Sequence, residues 1–299
     1  MRSPRHVAIA FAALVLAVAV APAGASAAQL PGQVSTNWAG YAVVTGSSTH
    51  AFAKRFTTVS GSWTQPTATC VPGQPTFSAF WVGLGGYRQS SQSLEQIGTE
   101  ADCSPNGTVS YYAWYEYVPD GPHTIHVIPV NAGDTINATV HVVGERATVS
   151  LTDATTAATF TYTKVMRSPK PNVGAAEWIA EAPSNCNQNN CTPLALTDFG
   201  SVNFTNATAT SVGNDGLHTG VIDDPDWIYG AINLQSGPGH FRFSHEVQSS
   251  ASAGVLAASG DSFSVTYTGG QEPPPGTTGT TGTTGGTGTS GSSGATGIT

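Results

Sequence analysis

Carboxyl groups offer the chain's best chance of chemistry. Glu177 and Glu181 stand in the short run Ala175-Ala176-Glu177-Trp178-Ile179-Ala180-Glu181-Ala182-Pro183, in a protein with only 9% charged residues. A glutamate between Ala180 and Ala182 is partly desolvated, which disfavours its charged form and raises its pKa. That suits an acid or base working in mildly acidic water. If the run is a strand, alternation puts Glu177, Ile179 and Glu181 on one face and Trp178 and Ala180 on the other. Four residues of strand span about 13 Å. The two glutamates are therefore not a tight pair, and a working partner must come from elsewhere. From these nine residues alone, an ordinary strand with solvated outer glutamates is the readier reading.

Two further stretches carry candidate groups. Leu94-Glu95-Gln96-Ile97-Gly98-Thr99-Glu100 holds two glutamates and a glutamine. In Tyr111 to Tyr117, alternation sets Tyr111, Ala113, Tyr115 and Tyr117 on one face and Tyr112, Trp114 and Glu116 on the other. Such a strand either presents an aromatic platform to a polymer or fills a sandwich core. Other chemistries find little support. There is no Gly-x-Ser-x-Gly elbow and no His-Glu-x-x-His pair, and the histidines are scattered. Asp223-Asp224-Pro225-Asp226 is an acidic turn of a kind that can hold calcium, though such turns are more often simply solvated. No metal is expected.

The elements that must position these groups lie between two unusual ends. Arg2 and Arg5, an apolar run and Ala25-Ser26-Ala27 read as a signal peptide over residues 1–27. From residue 269 to 299 the composition collapses to Gly, Thr, Ser and Pro, as in EPPPGTTGTTGTTGGTGTSGSS. That stretch has almost nothing to bury and reads as a disordered tail or cell-wall spacer. Residues 28–268 remain, enough for one large domain. Loss of Arg2 and Arg5 leaves eight Lys and Arg against eighteen Asp and Glu. That balance argues against nucleic acid and anionic membranes as partners. Four cysteines in an exported chain predict two disulfides. Cys186 and Cys191 would clip a tight loop, leaving Cys70 for Cys103.

Between the ends, the pattern is all-β. Strands are predicted over 37–44, 56–63, 76–83, 109–117, 123–130, 135–143, 147–152, 159–165, 175–182, 202–210, 228–234, 241–247 and 262–267, with a hairpin at Gly144-Glu145-Arg146. Many short strands with frequent turn signals predict a sandwich of antiparallel sheets or a jelly roll.

Several stretches then align in order: Thr36-Asn37-Trp38-Ala39-Gly40, Phe80-Trp81-Val82-Gly83-Leu84-Gly85-Gly86, Gln96-Ile97-Gly98, Tyr112-Ala113-Trp114-Tyr115-Glu116 and Ala176-Glu177-Trp178-Ile179-Ala180-Glu181, continued by Pro193-Leu194-Ala195 and Phe199-Gly200. Together, over roughly residues 35–267, they resemble the glutamic peptidases (eqolisins, peptidase family G1). The resemblance implies a concanavalin A-like sandwich of two large antiparallel sheets and a secreted acid endopeptidase acting on polypeptides without metal or cofactor. It implies Gln96 and Glu181, rather than Glu177, as the catalytic pair. It also sets Trp38 and Trp81 near the cleft and Glu116 on the substrate side. The residue types suit the task. A carboxylate can take a proton from an attacking water and return it to the leaving amine. A glutamine NH2 can donate to the oxyanion and does not ionise in acid.

This chain departs from the fungal members at Gly85 and Tyr112, where they carry acidic residues, and with only about nine residues between the expected cleavage site and Asn37 their long propeptide is expected to be absent. The Cys186–Cys191 loop matches a family disulfide. A monomer is expected. Two rival readings are a carbohydrate-active sandwich, pairing Glu181 with Glu116 or Glu100 across a sugar, and a noncatalytic wall or adhesion module.

Overall fold

The computed structural model describes residues 28–46, 55–88, 90–187, 190–213, 216–235 and 248–271. The predicted signal peptide, the predicted strand at 241–247 and nearly all of the predicted tail lie outside them. The described residues form strands and no helix.

In chain order the strands are β1 (Ala28–Gln29), β2 (Gln33–Ser35), β3 (Trp38–Val44), β4 (Arg55–Thr64), β5 (Ala79–Gly85), β6 (Leu94–Cys103) and β7 (Val109–Tyr117). Then come β8 (His123–Ile125), β9 (Thr135–Val143), β10 (Arg146–Asp153), β11 (Ala158–Val165), β12 (Ala175–Glu181), β13 (Ser184–Asn187) and β14 (Asn190–Pro193). The last five are β15 (Ser201–Gly213), β16 (Gly216–Val221), β17 (Ile228–Gln235), β18 (Gln248–Ala253) and β19 (Phe263–Gln271). Hydrogen-bonded neighbours run β8-β7-β6-β5-β12-β3-β17, then through β18 and β19 to β15, β4, β9, β10 and β11. The pairing is antiparallel, except that β1 and β2 lie parallel to β17. One long ribbon of strands thus folds over on itself, and β13 and β14 form a separate hairpin.

Aromatic side chains tie the two layers together. The Trp178 indole N–H donates to the Ser60 carbonyl at 2.7 Å. Trp63 reaches Thr99 Oγ1 at 3.0 Å, and the Tyr117 hydroxyl reaches the Ala147 carbonyl at 3.1 Å. Between the layers lies the main core, including Val43, Phe56, Val59, Phe80, Val82, Ile97, Val140 and Trp178. A second apolar cluster covers the opposite face of the first layer: Trp38, Ala42, Ala79, Trp81, Leu94, Trp114, Ile179 and Ile232. Every residue of β3, β5 and β12 is therefore buried, on one face or the other.

Most predicted strands are present with shifted ends, and three differences matter. The segment carrying Gln96, absent from the predicted strands, is the ten-residue β6. The run predicted at 123–130 pairs only over His123–Ile125, because the chain turns at residues 126–127 and leaves the ladder. The last strand runs to Gln271, beyond the predicted limit at 268. Both expected disulfides, Cys70–Cys103 and Cys186–Cys191, are formed.

Trp178 combines full burial with an interlayer hydrogen bond, so Trp178→Ala should destabilise the fold by about 3–5 kcal/mol. Val143→Thr, at a site 61% exposed, should shift stability by less than about 0.5 kcal/mol. Denaturant unfolding of both variants checks the contrast.

Candidate active site

Strand register turns the scattered candidates into one surface. Side chains directly opposite on paired strands share a face. On the face of the first layer turned away from the main core, one row reads Ala42, Glu177, Gly83, Gln96, Glu116 across β3, β12, β5, β6 and β7. The next reads Gly40, Ile179, Trp81, Gly98, Trp114, and the third Trp38, Glu181, Ala79, Glu100, Tyr112. All five predicted site residues, Trp38, Trp81, Gln96, Glu116 and Glu181, therefore stand on one face. Gln96 and Glu181 lie on a diagonal of this face, two strands and two rows apart, with Trp81 in the row between. In straight register, Gln96 faces Glu177 across Gly83, and Glu181 faces Glu100 across Ala79.

Glu181 is 1% exposed, which excludes the solvated-glutamate reading. Its Oε1 accepts from Asn37 Nδ2 at 2.9 Å and its Oε2 from the Trp81 indole at 2.7 Å. Burial pushes its pKa up to about 7, and the Trp81 and Asn37 donors pull against that rise. The geometry around the carboxyl is fixed from several sides. The Asn37 and Trp38 amides donate to Ser35 Oγ, and the Ala182 amide donates to the Asn37 carbonyl at 2.8 Å. Trp38 meets Trp81 edge-on with ring centres 5.1 Å apart. Sequence alone gives Asn37 no role; its place one residue before β3, opposite the end of β12, brings its amide to Glu181.

Gln96 is equally buried, at 1% exposed. Its Nε2 donates to Glu116 Oε2 at 2.6 Å, and its Oε1 has no partner. Two residues on, Gly98 lies under Trp81. A Cβ at Gly98 would come within 2.2 Å of the Phe80 carbonyl oxygen and 2.6 Å of Trp81 Cβ. The Gln-x-Gly spacing thus lets the tryptophan close over the strand that carries the glutamine.

The structure adds carboxyls that sequence reasoning left without a role. Tyr112 O–H lies 2.6 Å from Glu100 Oε2 and 2.8 Å from Asp102 Oδ2. One hydroxyl has one proton to donate, so bonding both carboxyls requires one of them to carry a proton of its own. Burial, with the Asp102 charge adding to it, holds Glu100 well above the usual carboxylate range, and burial raises Asp102 as well. Tyr112, one of the departures from the fungal pattern, is thus a hydroxyl that bridges two acids. Glu177 and Glu95 are fully buried, and none of their four carboxyl oxygens has a hydrogen-bond partner. Burial raises Glu177 strongly, with Glu95 adding repulsion, and burial lifts Glu95 to about 8. The other departure, Gly85, has φ +91°, and a Cβ there would meet the Ser93 and Asn172 carbonyl oxygens at 2.7 and 2.8 Å. The loops have closed onto the position, leaving no room for an acidic side chain.

The Asp223–Asp226 turn stands apart from this face. His218 Nε2 bonds Asp224 Oδ2 at 2.9 Å, and Asp224 Oδ1 accepts the Asp226 amide. His218, Asp224 and Asp226 could bring ligand atoms within 4.8 Å of one another, whereas Asp223 is not in that group.

Comparison with known proteins gives a consistent answer. The model of the Peptidase A4 family matches residues 36–251. Aspergillopepsin-2 of Aspergillus niger is 30% identical over 203 residues, 61% of this chain and 67% of that protein. The crystal structure of Scytalido-glutamic peptidase with a peptide-based transition state analog superposes with a TM-score of 0.53 at 21% identity, covering 78% of this chain and 98% of its own. SCP-B, a member of the eqolisin family solved with the tripeptide Ala-Ile-His, gives 0.52 at 22% identity with the same coverage. At those identities the two structures establish the β-sandwich fold.

The raised carboxyls make stability depend on pH with a definite sign. Between its ordinary value of 4.5 and its folded value, each such group is protonated when folded and ionised when unfolded, so stability falls as pH rises. Melting temperature should be highest in acid and decline from about pH 4.5, through the Glu181 value near 7, toward the Glu95 value near 8. Calorimetry across that range checks the slope; a melting temperature that rises toward neutral pH would contradict it.

Proposed function

The chain belongs to the Peptidase A4 family, the glutamic peptidases, and hydrolyses peptide bonds; from that premise we propose that Glu181 moves the proton and Gln96 polarises the scissile carbonyl. The observation that carries this reading is the state of Glu181: buried, gripped by two N–H donors, and raised to about 7. In acid it enters the cycle carrying its proton. This reverses the order expected from sequence, where a carboxylate first accepts a proton from water.

The steps balance without another reagent. One Gln96 N–H is engaged by Glu116, and the second is available to the carbonyl oxygen as negative charge develops there. Water oxygen adds to the carbonyl carbon. Glu181 gives its proton to the leaving nitrogen, the C–N bond breaks, and a proton from the water restores the acid. Trp38 and Trp81 supply an apolar wall that keeps bulk water from the carboxyl, strengthening its interactions with whatever binds beside it. Their place beside Glu181 supports a substrate-side role for both.

The mature chain acts outside the cell in this reading, as a monomer. The signal-like start and two disulfides support export. The Gly/Thr-rich end serves as a tail or wall spacer. Neither the carbohydrate reading nor the adhesion reading is favoured, given the family match.

Glu181→Gln should abolish hydrolysis of an acid-unfolded protein while the fold persists, because the amide is nearly isosteric but cannot exchange the proton. Gln96→Ala should lower turnover by about 10²–10³. Glu177→Gln should be much milder. Turnover of the three variants at acid pH tests the assignment; near-normal activity in Glu181→Gln, or loss confined to Glu177→Gln, would overturn it.

A further inference from the structure

We propose that Glu116 is a positioning residue: it fixes which end of the Gln96 amide faces the substrate. The proposal rests on the assignment of Gln96 as the group that polarises the scissile carbonyl.

A glutamine amide has two chemically opposite ends of nearly equal size. The NH2 donates and the oxygen accepts. In an apolar site nothing in the shape of the side chain distinguishes them. Only a partner of known polarity can. Glu116 lies directly opposite Gln96 on the adjoining strand, with both side chains on the same face. Its Oε2 stands 2.6 Å from Gln96 Nε2, and each residue is 1% exposed. In the structure Glu116 Oε2 is the acceptor of that bond, so the NH2 end of Gln96, and not its oxygen, faces Glu116.

That grip has two consequences. It uses one of the two N–H bonds of Gln96, so the other is turned to a defined direction. It also turns Gln96 Oε1 away from Glu116; that oxygen is buried and has no partner in the protein. A buried amide oxygen left without a partner is costly, and such atoms call for an explanation in the site's chemistry. Here it is an acceptor for a proton of the attacking water, next to the N–H that receives the oxyanion. With the amide reversed, the oxygen would repel the developing negative charge. Glu116 therefore acts through Gln96, in contrast to the direct substrate contact that sequence resemblance implies.

The readout separates these roles. Glu116→Leu and Glu116→Gln are compared with the parent at acid pH on a soluble fluorogenic peptide, in the original and in the Gln96→Ala background. Glu181→Gln serves as the control for the reaction itself. Positioning predicts that Glu116→Leu lowers kcat at least about tenfold, a fraction of the loss typical for one oxyanion donor, with KM within about twofold. Glu116→Gln, whose amide can meet Gln96 with either its oxygen or its NH2, should recover only part of the loss and fall between the parent and Glu116→Leu. In the Gln96→Ala background, Glu116→Leu should cost nothing more, because the group it acts through is gone. A general loss of fold would slow the Gln96→Ala background as well, so it too counts against the proposal. A rise in KM with kcat unchanged, or a loss that adds fully to that of Gln96→Ala, would overturn it. If Glu181→Gln retains turnover, the assignment of the reaction fails instead.

Discussion

A carboxyl group can stay inside a protein only if it remains neutral or is held by donors. Six carboxyls of β6, β7 and β12 test that rule here. Glu95, Glu100, Glu116, Glu177 and Glu181 are all buried, and Asp102 is half-buried beside them. The protein uses both answers. Glu181 has donors on each oxygen, from Asn37 and Trp81. Glu95 and Glu177 have none, and burial drives both toward the neutral form. The raised pKa of Glu181 follows from the same burial that shapes the site. The proposed acid chemistry and the expected acid stability thus share one cause.

The fold supplies what this burial needs. A sheet strand is normally buried on one face when it forms a sandwich. Here β3, β12 and β5 are buried on both, because Trp38, Trp81, Trp114, Ile179 and Leu94 roof the outer face. The central strands lie rigidly between two apolar layers, and their pleat fixes the direction of every polar group among them. Gly98 lets Trp81 lie close against β6, and the indole N–H then reaches across to β12. The layer that hides the carboxyls from water also supplies a hydrogen bond to the one assigned the chemistry.

Parts of this were legible in the sequence. Alternation in a run of known strand type was enough to set Glu177 and Glu181 on one face, opposite Trp178. The Tyr112, Trp114, Glu116 face was equally readable, and the core alternative describes the strand: one face fills the main core and the other joins the second buried cluster. The strand bearing Gln96 was not readable. Leu94–Cys103 contains two glutamates, a glutamine and an aspartate, and its polar residues mask the apolar period that marks a buried strand. Register was invisible too, since it is set by pairing partners far apart in the chain. Hence the pairing of Glu116 with Gln96, the bridge from Tyr112 to Glu100 and Asp102, and the grip of Asn37 on Glu181 emerged only in three dimensions. Gly85 illustrates the opposite limit. Its departure from the acidic residue was plain in sequence, but the closed loops that leave no room there were not.

The central claim is that Glu181 is a buried acid whose proton is the one transferred. Its carboxyl can be titrated directly by infrared difference spectroscopy, subtracting the Glu181→Gln protein from the parent, alongside the pH dependence of turnover. The account predicts a single carboxyl band that disappears near pH 7, with turnover falling over the same interval. A band lost near 4.5, with turnover persisting above it, would contradict the claim: Glu181 would then be an ordinary carboxylate while the reaction proceeds.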